Sequence, residues 1–374
     1  MSPATVAAQA GGFRDPTTGG VVPPIHAATT YERDEGYRLL SGRLYSRADN
    51  PNYDSVEKVL AQLELGGSAA VFSSGMAAAT AVFQALQPGD HVVVPTVIYW
   101  ALRSWLLGWA TEWGLRIESV DMTDLDRVTA AVRPGETQLV WIETPANPTL
   151  VITDIAKVAE IAHRAGARVA VDSTFATPVL SRPLALGADI VMHSATKYLN
   201  GHSDVVAGAL ISREADEFWK RIKMVRVQAG GVLGPFEAWL LLRGLRTLFV
   251  RVEAQCRSAQ RIAEHFTANA KIVSVLYPGL PEAQGHLIAA RQMHGGFGGM
   301  ISLRILGGAP GALALVGRLR LWRRATSLGG VESLIEHRAS VEGPGTMTPP
   351  DLLRLSVGLE DTAELIADLE GALE

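Results

Sequence analysis

Ile190-Val-Met-His-Ser-Ala-Thr-Lys-Tyr-Leu-Asn-Gly201 is the segment from which the fold of this 374-residue chain can be inferred. The mostly apolar residues 188–192 predict a short buried strand, and the residues up to Lys197 then leave its carboxyl end, where open α/β sheets bind their ligands. A lysine held against an apolar sheet beside another cation loses part of its preference for the ammonium form, and only the free amine attacks a carbonyl. Ser194 and Thr196 add hydroxyls suited to phosphate oxygens. Taken alone, this pattern fits an exposed lysine in a polar loop about equally well.

A second predicted strand, residues 167–171, leads to the carboxylate of Asp172, about one strand-plus-loop unit before Lys197. A lone aspartate at this position would more often cap the end of a strand. However, a carboxylate there can also pair with a pyridine nitrogen and keep it protonated, while Lys197 and its hydroxyl neighbours suit an aldehyde that carries a phosphate. The order strand, Asp172, strand, Ser-x-Thr-Lys therefore predicts pyridoxal 5'-phosphate as the cofactor.

Two further segments carry candidate binding residues. Gly75 and Met76 follow a short predicted strand and open a helix of small residues, whose first amides and dipole favour a bound phosphate. Ser-Ser-Gly is also common in tight turns, so this signal is weak by itself. Arg354 lies in an apolar run that predicts a strand, where a guanidinium is unlikely to be buried unless it binds a carboxylate bidentately.

Composition and charge limit the classes of partner. The formal net charge of −4 gives no reason to expect a nucleic acid, and we expect the basic cluster 318–324 to be a helix with a charged outer face. Cys256 is the single cysteine, which rules out an intrachain disulfide and suits a reducing compartment, so we expect a cytoplasmic protein. The histidines do not fall at metal-ligand spacings, and we expect no metal. No signal sequence or membrane-length apolar run is found, so we expect a soluble, unprocessed protein without a membrane partner.

The alternation of strands and helices predicts an α/β fold with a mostly parallel sheet and right-handed crossovers. Residues 1–43 are rich in Gly, Pro and Thr and predict an extended arm. Residues 44–234 predict the large cofactor-binding domain. After this point the pattern changes, and residues 235–374 predict a linker helix, running without a break over 235–266, followed by a smaller C-terminal α+β domain.

Several motifs together resemble the Cys/Met-metabolism family of pyridoxal-phosphate enzymes. This family includes the cystathionine γ-synthases, the cystathionine γ- and β-lyases, the methionine γ-lyases and the O-acylhomoserine sulfhydrylases. The resemblance runs from about Gly11 to the C-terminus. The motifs that carry it are Tyr45-Ser-Arg47 with Asn50-Pro-Asn52, Ser73-Ser-Gly-Met76, Glu143-Thr-Pro-Ala-Asn-Pro148, Asp172-Ser-Thr-Phe-Ala-Thr-Pro178, Ser194-Ala-Thr-Lys-Tyr-Leu-Asn-Gly201, Ser327-Leu-Gly-Gly-Val-Glu-Ser333 and Arg354-Leu-Ser-Val-Gly-Leu-Glu-Asp361.

The resemblance implies the fold of the type I aminotransferases and a homotetramer built from dimers that share active sites. The arm, residues 1–43, would contact a neighbouring subunit, and Tyr45 and Arg47 would bind the cofactor phosphate of that neighbour. The guanidinium of Arg47 offers a planar fork of donors that matches phosphate oxygens. Without the resemblance, Tyr45 and Arg47 would be interpreted as a surface turn.

The resemblance also implies roles at the substrate. Tyr99 would stack on the pyridine ring and assist proton transfer to the leaving group. Asn147 would contact both the phenolic oxygen of the cofactor and the substrate. Arg354 would bind the substrate α-carboxylate, with Ser327 supporting the same end.

The expected activity is γ-elimination or γ-replacement on a sulfur amino acid or an O-activated homoserine. Lys197 would remove the α-proton, while Asp172 keeps the ring protonated. A cystathionine β-lyase, or a member acting on a related amino acid in specialised metabolism, is the alternative within the family. A cofactor-binding protein without this activity is the alternative from another class, and the retention of Lys197, Asp172, Tyr99 and Arg354 argues against it.

Three parts of the sequence depart from the family pattern and leave the substrate open. Trp100 and Ala101 follow Tyr99, whereas methionine γ-lyases have a cysteine one place further on. Residues 335–345 read Ile-Glu-His-Arg-Ala-Ser-Val-Glu-Gly-Pro-Gly, whereas relatives commonly continue Ile-Glu-His with Pro-Ala-Ser-Met-Thr-His. Thr326 stands where relatives carry glutamate, an aromatic residue or a small apolar residue. Because a threonine cannot pair with the distal ammonium of cystathionine, we expect a substrate whose distal end is uncharged.

Overall fold

A computed structural model describes residues 1–343 and 345–374. A seven-stranded sheet forms the large domain, with strand order β1-β7-β6-β5-β4-β2-β3. Its strands are β1 (Ser68–Phe72), β2 (His91–Pro95), β3 (Arg116–Val120), β4 (Thr137–Glu143), β5 (Arg168–Asp172), β6 (Ile190–His193) and β7 (Gly208–Ser212). Strand β7 runs antiparallel to both of its neighbours, and the other pairings are parallel. The prediction of a mostly parallel α/β sheet is confirmed.

Helices cover both faces of this sheet. They are α1 (Pro3–Ala8), α2 (Pro51–Glu64), α3 (Gly75–Gln84), α4 (Trp100–Trp105), α5 (Leu125–Ala131), α6 (Ile155–Arg164), α7 (Thr177–Leu180), α8 (Glu217–Ala229), α9 (Pro235–Leu245) and α10 (Leu248–Phe266). Successive strand residues point to opposite faces, so Val169 and Val171 pack into one apolar core while Ala170 packs into the other. Burial on both faces explains the nearly continuous apolar runs of these strands.

A five-stranded sheet forms the smaller C-terminal domain, with strand order β10-β11-β12-β9-β8. Its strands are β8 (Ile272–Leu276), β9 (Met300–Ile305), β10 (Arg323–Arg324), β11 (Leu334–His337) and β12 (Leu352–Ser356), and its helices are α11 (His286–Gln292), α12 (Gly308–Arg318), α13 (Arg338–Glu342) and α14 (Thr362–Leu373). A separate apolar core joins this sheet to α12, α14 and the end of α10. The strand predicted around Arg354 is β12.

The carboxyl ends of β4, β5 and β6 lie side by side and position the site. Glu143 pairs with Asp172 across β4 and β5, and Asp172 pairs with Met192 across β5 and β6. Paired residues of parallel strands share a face, so these three side chains point to the same side of the sheet. The segment leading to Lys197 leaves β6 directly beside them.

The predicted continuous helix over residues 235–266 is wrong, because the chain forms two helices with a break at Arg246 and Thr247. At the break, Arg251 donates from Nη2 to the Gly244 carbonyl at 2.8 Å and from Nη1 to the Tyr198 carbonyl at 2.9 Å. The Arg251 side chain thus bonds a carbonyl near the end of α9 and links the break to Tyr198, the residue after Lys197.

The prediction that residues 1–43 are extended is wrong for the first twelve residues. Helix α1 and a 3₁₀ turn over Ala10–Gly12 pack on α2, with Val6 and Ala7 buried in the core of the large domain. The remainder of the arm follows the surface and is anchored by Asn52, which donates to the Pro24 carbonyl at 2.8 Å.

The basic cluster 318–324 is not a helix as predicted. Helix α12 ends at Arg318, and the cluster continues into the short strand β10. Trp322 is buried, with its indole donating to the Leu365 carbonyl at 3.1 Å, so this side chain fixes the segment against α14.

Cys256 lies inside α10 and is buried against Gly296. Burial raises the pKa of its thiol to about 11. Within the described residues, no helix is both long and apolar enough to cross a membrane. The same residues contain no group of three or more His, Cys, Asp or Glu side chains placed to hold a metal ion.

Candidate active site

A cavity of about 440 Å³ opens at the carboxyl ends of β4, β5 and β6 and extends to the C-terminal domain. Most of the predicted site residues line it. They are Gly75, Met76, Tyr99, Asn147, Asp172, Ser194, Thr196, Lys197, Thr326, Ser327 and Arg354. Residues separated by up to 279 positions in the chain therefore meet at one edge of the sheet.

Tyr45 and Arg47 are the predicted site residues that do not line this cavity. Both are exposed just after the arm, with the Arg47 guanidinium carbon 5.6 Å from the centre of the Tyr45 ring. Within one chain, Tyr45 and Arg47 therefore do not line the cavity that contains Lys197.

Lys197 is a partly buried amine that has no carboxylate partner among the described residues. Its Nζ donates to Ser327 Oγ at 2.9 Å. Burial, assisted by the positive charge of Arg354, lowers the pKa of Lys197 to about 8, although Glu336 acts in the opposite direction. A larger fraction of the amine is therefore in its free form near neutral pH than for an exposed lysine.

Asp172 is a carboxylate held by Thr174, and within the described residues it forms no ion pair. Its Oδ1 accepts from the Thr174 amide at 3.0 Å and from the Thr174 hydroxyl at 2.6 Å. Thr174 Oγ1 also accepts from the Ser194 amide at 2.8 Å, which connects Asp172 to the lysine loop. Burial raises the pKa of Asp172, against the effect of these hydrogen bonds. A cationic ring nitrogen would supply the partner that this carboxylate lacks.

Glu143 is a site residue that the sequence reasoning did not assign. Its carboxylate accepts from the Tyr99 amide at 2.7 Å and from the Asn147 amide at 2.9 Å, and so fixes the two segments that carry those residues. Burial and the neighbouring charge of Asp172 raise the pKa of Glu143 to about 8. The available signal was its place at the start of the Glu143-Thr-Pro-Ala-Asn-Pro148 motif, one of those that carry the family resemblance.

The start of α3 lies against residues 194–197, the lysine loop, at the place where the sequence predicts phosphate binding. Ser74 caps the helix by accepting from the Ala77 amide at 3.0 Å, and the first N–H groups of a helix have no partner within it. Gly75 is required for close approach, because a Cβ there would lie 2.8 Å from both Cβ and Oγ of Ser194. The Thr196 hydroxyl, which also lines the cavity, is held by the backbone of Ala207, accepting from the amide at 3.0 Å and donating to the carbonyl at 3.1 Å.

Arg354 projects from β12 and is almost completely buried at the other end of the cavity. Its Nη1 donates to Asn147 Oδ1 at 3.0 Å, and its Nη2 donates to the Ser327 carbonyl at 3.0 Å and to Glu336 Oε2 at 2.6 Å. Burial lowers the pKa of Arg354 to about 10, which leaves it charged at neutral pH. Three of the five N–H groups of Arg354 are thus hydrogen-bonded, and the remaining two can bind a substrate carboxylate.

An ion cluster next to Arg354 was not predicted from the sequence. Glu336 accepts from Arg354 and also from Arg338 Nη1 at 2.9 Å, while Arg338 Nη2 donates to Glu342 at 2.9 Å. The Thr326 hydroxyl donates to the other oxygen of Glu336. The attraction of Arg354 and the bonds from Thr326 and Arg338 outweigh the effect of burial and lower the pKa of Glu336. The loop that follows continues through Pro344, which lies outside the described residues.

These residues fit pyridoxal 5'-phosphate. The cavity offers a free amine for its aldehyde, a carboxylate without a cation for its ring nitrogen, and a helix start with a glycine cradle for its phosphate. Lys197, Asp172 and the α3 amides would hold the group, and Tyr99 at the mouth of the cavity would lie beside it.

Comparison with known proteins gives consistent matches over the whole chain. Residues 4–374 match the family model described as Cys/Met metabolism PLP-dependent enzyme. Cystathionine γ-synthase from Mycobacterium tuberculosis is 47% identical over 377 residues, covering 99% of this chain and 96% of that protein. L-methionine γ-lyase from Porphyromonas gingivalis is 40% identical over 383 residues, covering 97% and 95%. The crystal structure of cystathionine γ-synthase from Xanthomonas oryzae in complex with cystathionine superposes with a TM-score of 0.95 at 40% identity, covering 100% of this chain and 98% of that one.

Proposed function

Because the chain belongs to the Cys/Met metabolism family of PLP-dependent enzymes, we propose that it catalyses γ-replacement on an O-activated homoserine, with γ-elimination as the related reaction of the same residues. One observation carries the proposal. Ser327 joins the amine to the carboxylate-binding group, since its hydroxyl accepts from Lys197 at 2.9 Å and its carbonyl accepts from Arg354 at 3.0 Å. An α-amino acid whose carboxylate binds Arg354 therefore presents its α-carbon towards Lys197.

The roles of the residues follow from this geometry. Bound pyridoxal 5'-phosphate supplies an aldehyde and a protonated ring that accepts electrons from the substrate. Lys197 removes the α-proton, since its lowered pKa makes it a base near neutral pH. Arg354 orients the α-carboxylate, and Asn147 is held beside it by their 3.0 Å hydrogen bond. Tyr99 assists proton transfer to the group that leaves the γ-carbon.

The exposed positions of Tyr45 and Arg47 support a shared site. We assign them to the cofactor phosphate of a neighbouring subunit, within a homotetramer built from dimers. The boundaries of the arm, residues 1–43, of the large domain, 44–234, and of the C-terminal part, 235–374, belong to the same proposal. The single buried cysteine supports a cytoplasmic location.

The surroundings of Thr326 support a substrate without a distal ammonium group. Glu336 is the carboxylate near this position, but one of its oxygens accepts from Thr326 and the other from Arg338 and Arg354. Glu336 keeps an acceptor site on Oε1, but its charge is already paired with two guanidinium groups, and these would repel an ammonium group at this end. An acylated homoserine lacks a distal ammonium group, whereas cystathionine carries one. The alternative activity, β-elimination of cystathionine, is measured in the same experiment.

The test compares kcat/KM for an O-acylhomoserine plus cysteine with kcat/KM for cystathionine cleavage. A carboxylate at position 326 would regain a charged hydrogen bond of about 1.5–3 kcal/mol, so Thr326→Glu should raise the relative kcat/KM for cystathionine by about tenfold or more. Thr326→Ser keeps the hydroxyl and should leave the ratio unchanged. A wild-type preference for cystathionine of tenfold or more would refute the proposed substrate. A cofactor-loaded protein that forms neither cystathionine from the ester and cysteine nor a 2-oxo acid would refute the activity itself.

A further inference from the structure

A buried histidine–carboxylate pair lies beside the start of the lysine loop. Glu64, the last residue of α2, contacts Nε2 of His193, the last residue of β6, with Oε1 at 2.6 Å. The side chains of His193 and Glu64 are 1% and 0% exposed. Because His193 immediately precedes Ser194, the pair lies at the point where the chain leaves the sheet towards Lys197.

Hydrogen bonds place His193 next to the segment that carries Asp172. The residue before it, Met192, pairs with Asp172 across β5 and β6. The residue after it, Ser194, donates its amide to Thr174 at 2.8 Å, and the Thr174 hydroxyl donates to Asp172 at 2.6 Å. Successive strand residues point to opposite faces, so the His193 ring lies behind the sheet while Asp172 faces the cavity.

The geometry of the pair favours its charged form. The distance of 2.6 Å between His193 Nε2 and Glu64 Oε1 is shorter than that of a neutral N–H···O hydrogen bond, which is about 2.9–3.0 Å, and charge-assisted bonds are the shorter class. Glu64 also ends α2, and the carboxyl end of a helix carries a partial negative charge that favours a neighbouring cation. Both features favour an imidazolium facing a carboxylate.

Stability of the fold does not explain this pair. In the part of the chain that the structure describes, His193 Nδ1 and Glu64 Oε2 have no hydrogen-bond partner. The attraction within a buried ion pair offsets the cost of desolvation only when the remaining polar atoms are also bonded, and apolar residues of similar volume are often as stable or more so. The two unbonded atoms therefore point to a role at the neighbouring site.

Asp172 needs a positive charge nearby in order to remain ionised. Burial raises its pKa, while the hydrogen bonds from Thr174 and the charge of His193 lower it. Asp172 is also paired with Glu143 across β4 and β5, and each of these carboxylates disfavours ionisation of the other. His193 thus supplies a charge of the sign that Asp172 requires, from the face of the sheet that the cofactor does not occupy.

We propose that His193 is a positioning residue for the proton of the cofactor ring: as an imidazolium held by Glu64, it keeps Asp172 ionised and so keeps the proton on the pyridine nitrogen. A positive charge beside Asp172 lowers the affinity of its carboxylate for a proton, which leaves the proton on the ring. The inference rests on the cofactor of the family, and it holds for elimination as well as for replacement.

The first measurement uses cofactor-free protein that carries nitrogen-15-labelled histidine, and records solid-state NMR spectra at neutral pH. The signals that disappear in His193→Gln identify His193. They should have the chemical shifts of an imidazolium in the wild type and of a neutral imidazole in Glu64→Gln. A neutral His193 in the wild type would overturn the inference.

The second measurement uses protein loaded with pyridoxal 5'-phosphate that carries nitrogen-15 in its ring. The ring signal should have the shift of a pyridinium in the wild type. In Glu64→Gln and in His193→Gln it should move towards that of unprotonated pyridine by about half of the separation or more, because each unit of pKa changes the distribution of a proton tenfold.

Glu64→Gln is the decisive variant, since a glutamine oxygen still accepts a hydrogen bond from His193 but carries no charge. A merely structural role of the pair would leave the ring signal of Glu64→Gln at the wild-type position, and this result would overturn the inference even if His193→Gln moved the signal.

Two further variants complete the test. Glu64→Gln/His193→Gln removes both charges together, which avoids an unpaired buried charge, and should move the ring signal as His193→Gln does. His163→Gln changes a partly exposed histidine that contacts Asp189 at 2.9 Å and should leave the ring signal at the wild-type position. Neither measurement requires turnover, so a failure of the proposed function would leave this test unaffected.

Discussion

Replacing Arg354 with glutamine should make Lys197 less reactive towards aldehydes near neutral pH. Burial lowers the pKa of Lys197 to about 8, the charge of Arg354 is the next cause, and Glu336 opposes both. The variant removes one of the lowering causes and leaves the opposing carboxylate in place. The pKa of Lys197 should therefore rise, and the amine should be protonated over a wider range of pH.

The size of the effect follows from the protonation equilibrium. With a pKa of about 8, about one-tenth of the Lys197 amine is unprotonated at pH 7, whereas a lysine with the ordinary pKa of about 10.4 is unprotonated in roughly one molecule in 2,500. Because only the free amine attacks a carbonyl, the environment of Lys197 raises the reactive fraction by about 200-fold. Arg354→Gln should lose part of this factor and keep the part that comes from burial.

The assay measures the rate at which pyridoxal 5'-phosphate attaches to cofactor-free protein between pH 6 and 10, followed by absorbance. The wild-type rate should rise with pH and level off above about pH 8. The Arg354→Gln rate should be lower at pH 7 and level off at a higher pH, while Arg103→Gln should follow the wild type. A wild-type rate that still increases in proportion to hydroxide at pH 10, or identical midpoints for wild type and Arg354→Gln, would refute the reasoning.

Lys197→Ala should fold but lose the covalent link to the cofactor and nearly all turnover. Borohydride reduction and peptide mapping of the wild type locate the link. Reduced cofactor on another lysine would contradict the assignment. Mixing Arg47→Ala with Lys197→Ala and allowing subunit exchange should restore some activity, because one site of a mixed dimer receives both intact groups. Subunit exchange that is confirmed by mass but restores no activity would count against a shared site. Gly75→Ala should weaken cofactor binding by about tenfold or more, because its Cβ would lie 2.8 Å from Ser194. Gly317→Ala, which has open space around it, is the control in equilibrium dialysis, and equal affinities would argue against the cradle.

The strands that position the site could be predicted because local sequence determines them. Residues 167–171 and 188–192 are mostly apolar runs of the length of a strand, and the carboxyl ends of parallel strands share one edge of a sheet. The placement of Asp172 and Lys197 at that edge follows from the order of these strands alone. The structure places both side chains in the same cavity, as this reasoning requires.

The contacts that could not be predicted join residues far apart in the chain. Glu143 accepts from Tyr99, 44 positions away, and nothing in the local pattern reveals that pairing. Glu336 stands on β11 and becomes a site residue only because β12 brings Arg354 alongside it. The break between α9 and α10 has the same origin, since Arg251 reaches the Tyr198 carbonyl 53 positions away. Helix α1 was missed because its partners in the core belong to α2, while the surrounding composition favours an extended chain.

The burial of Cys256 makes the protein convenient for spectroscopy. With a thiol pKa of about 11, only about one molecule in 10,000 carries the reactive thiolate at pH 7, and the packing of the residue further limits access to reagents. A cysteine introduced at an exposed arm position such as Tyr37, which is 78% exposed, would therefore react first with a maleimide dye or spin label. Distances between labelled arms could then be measured without first removing the native cysteine.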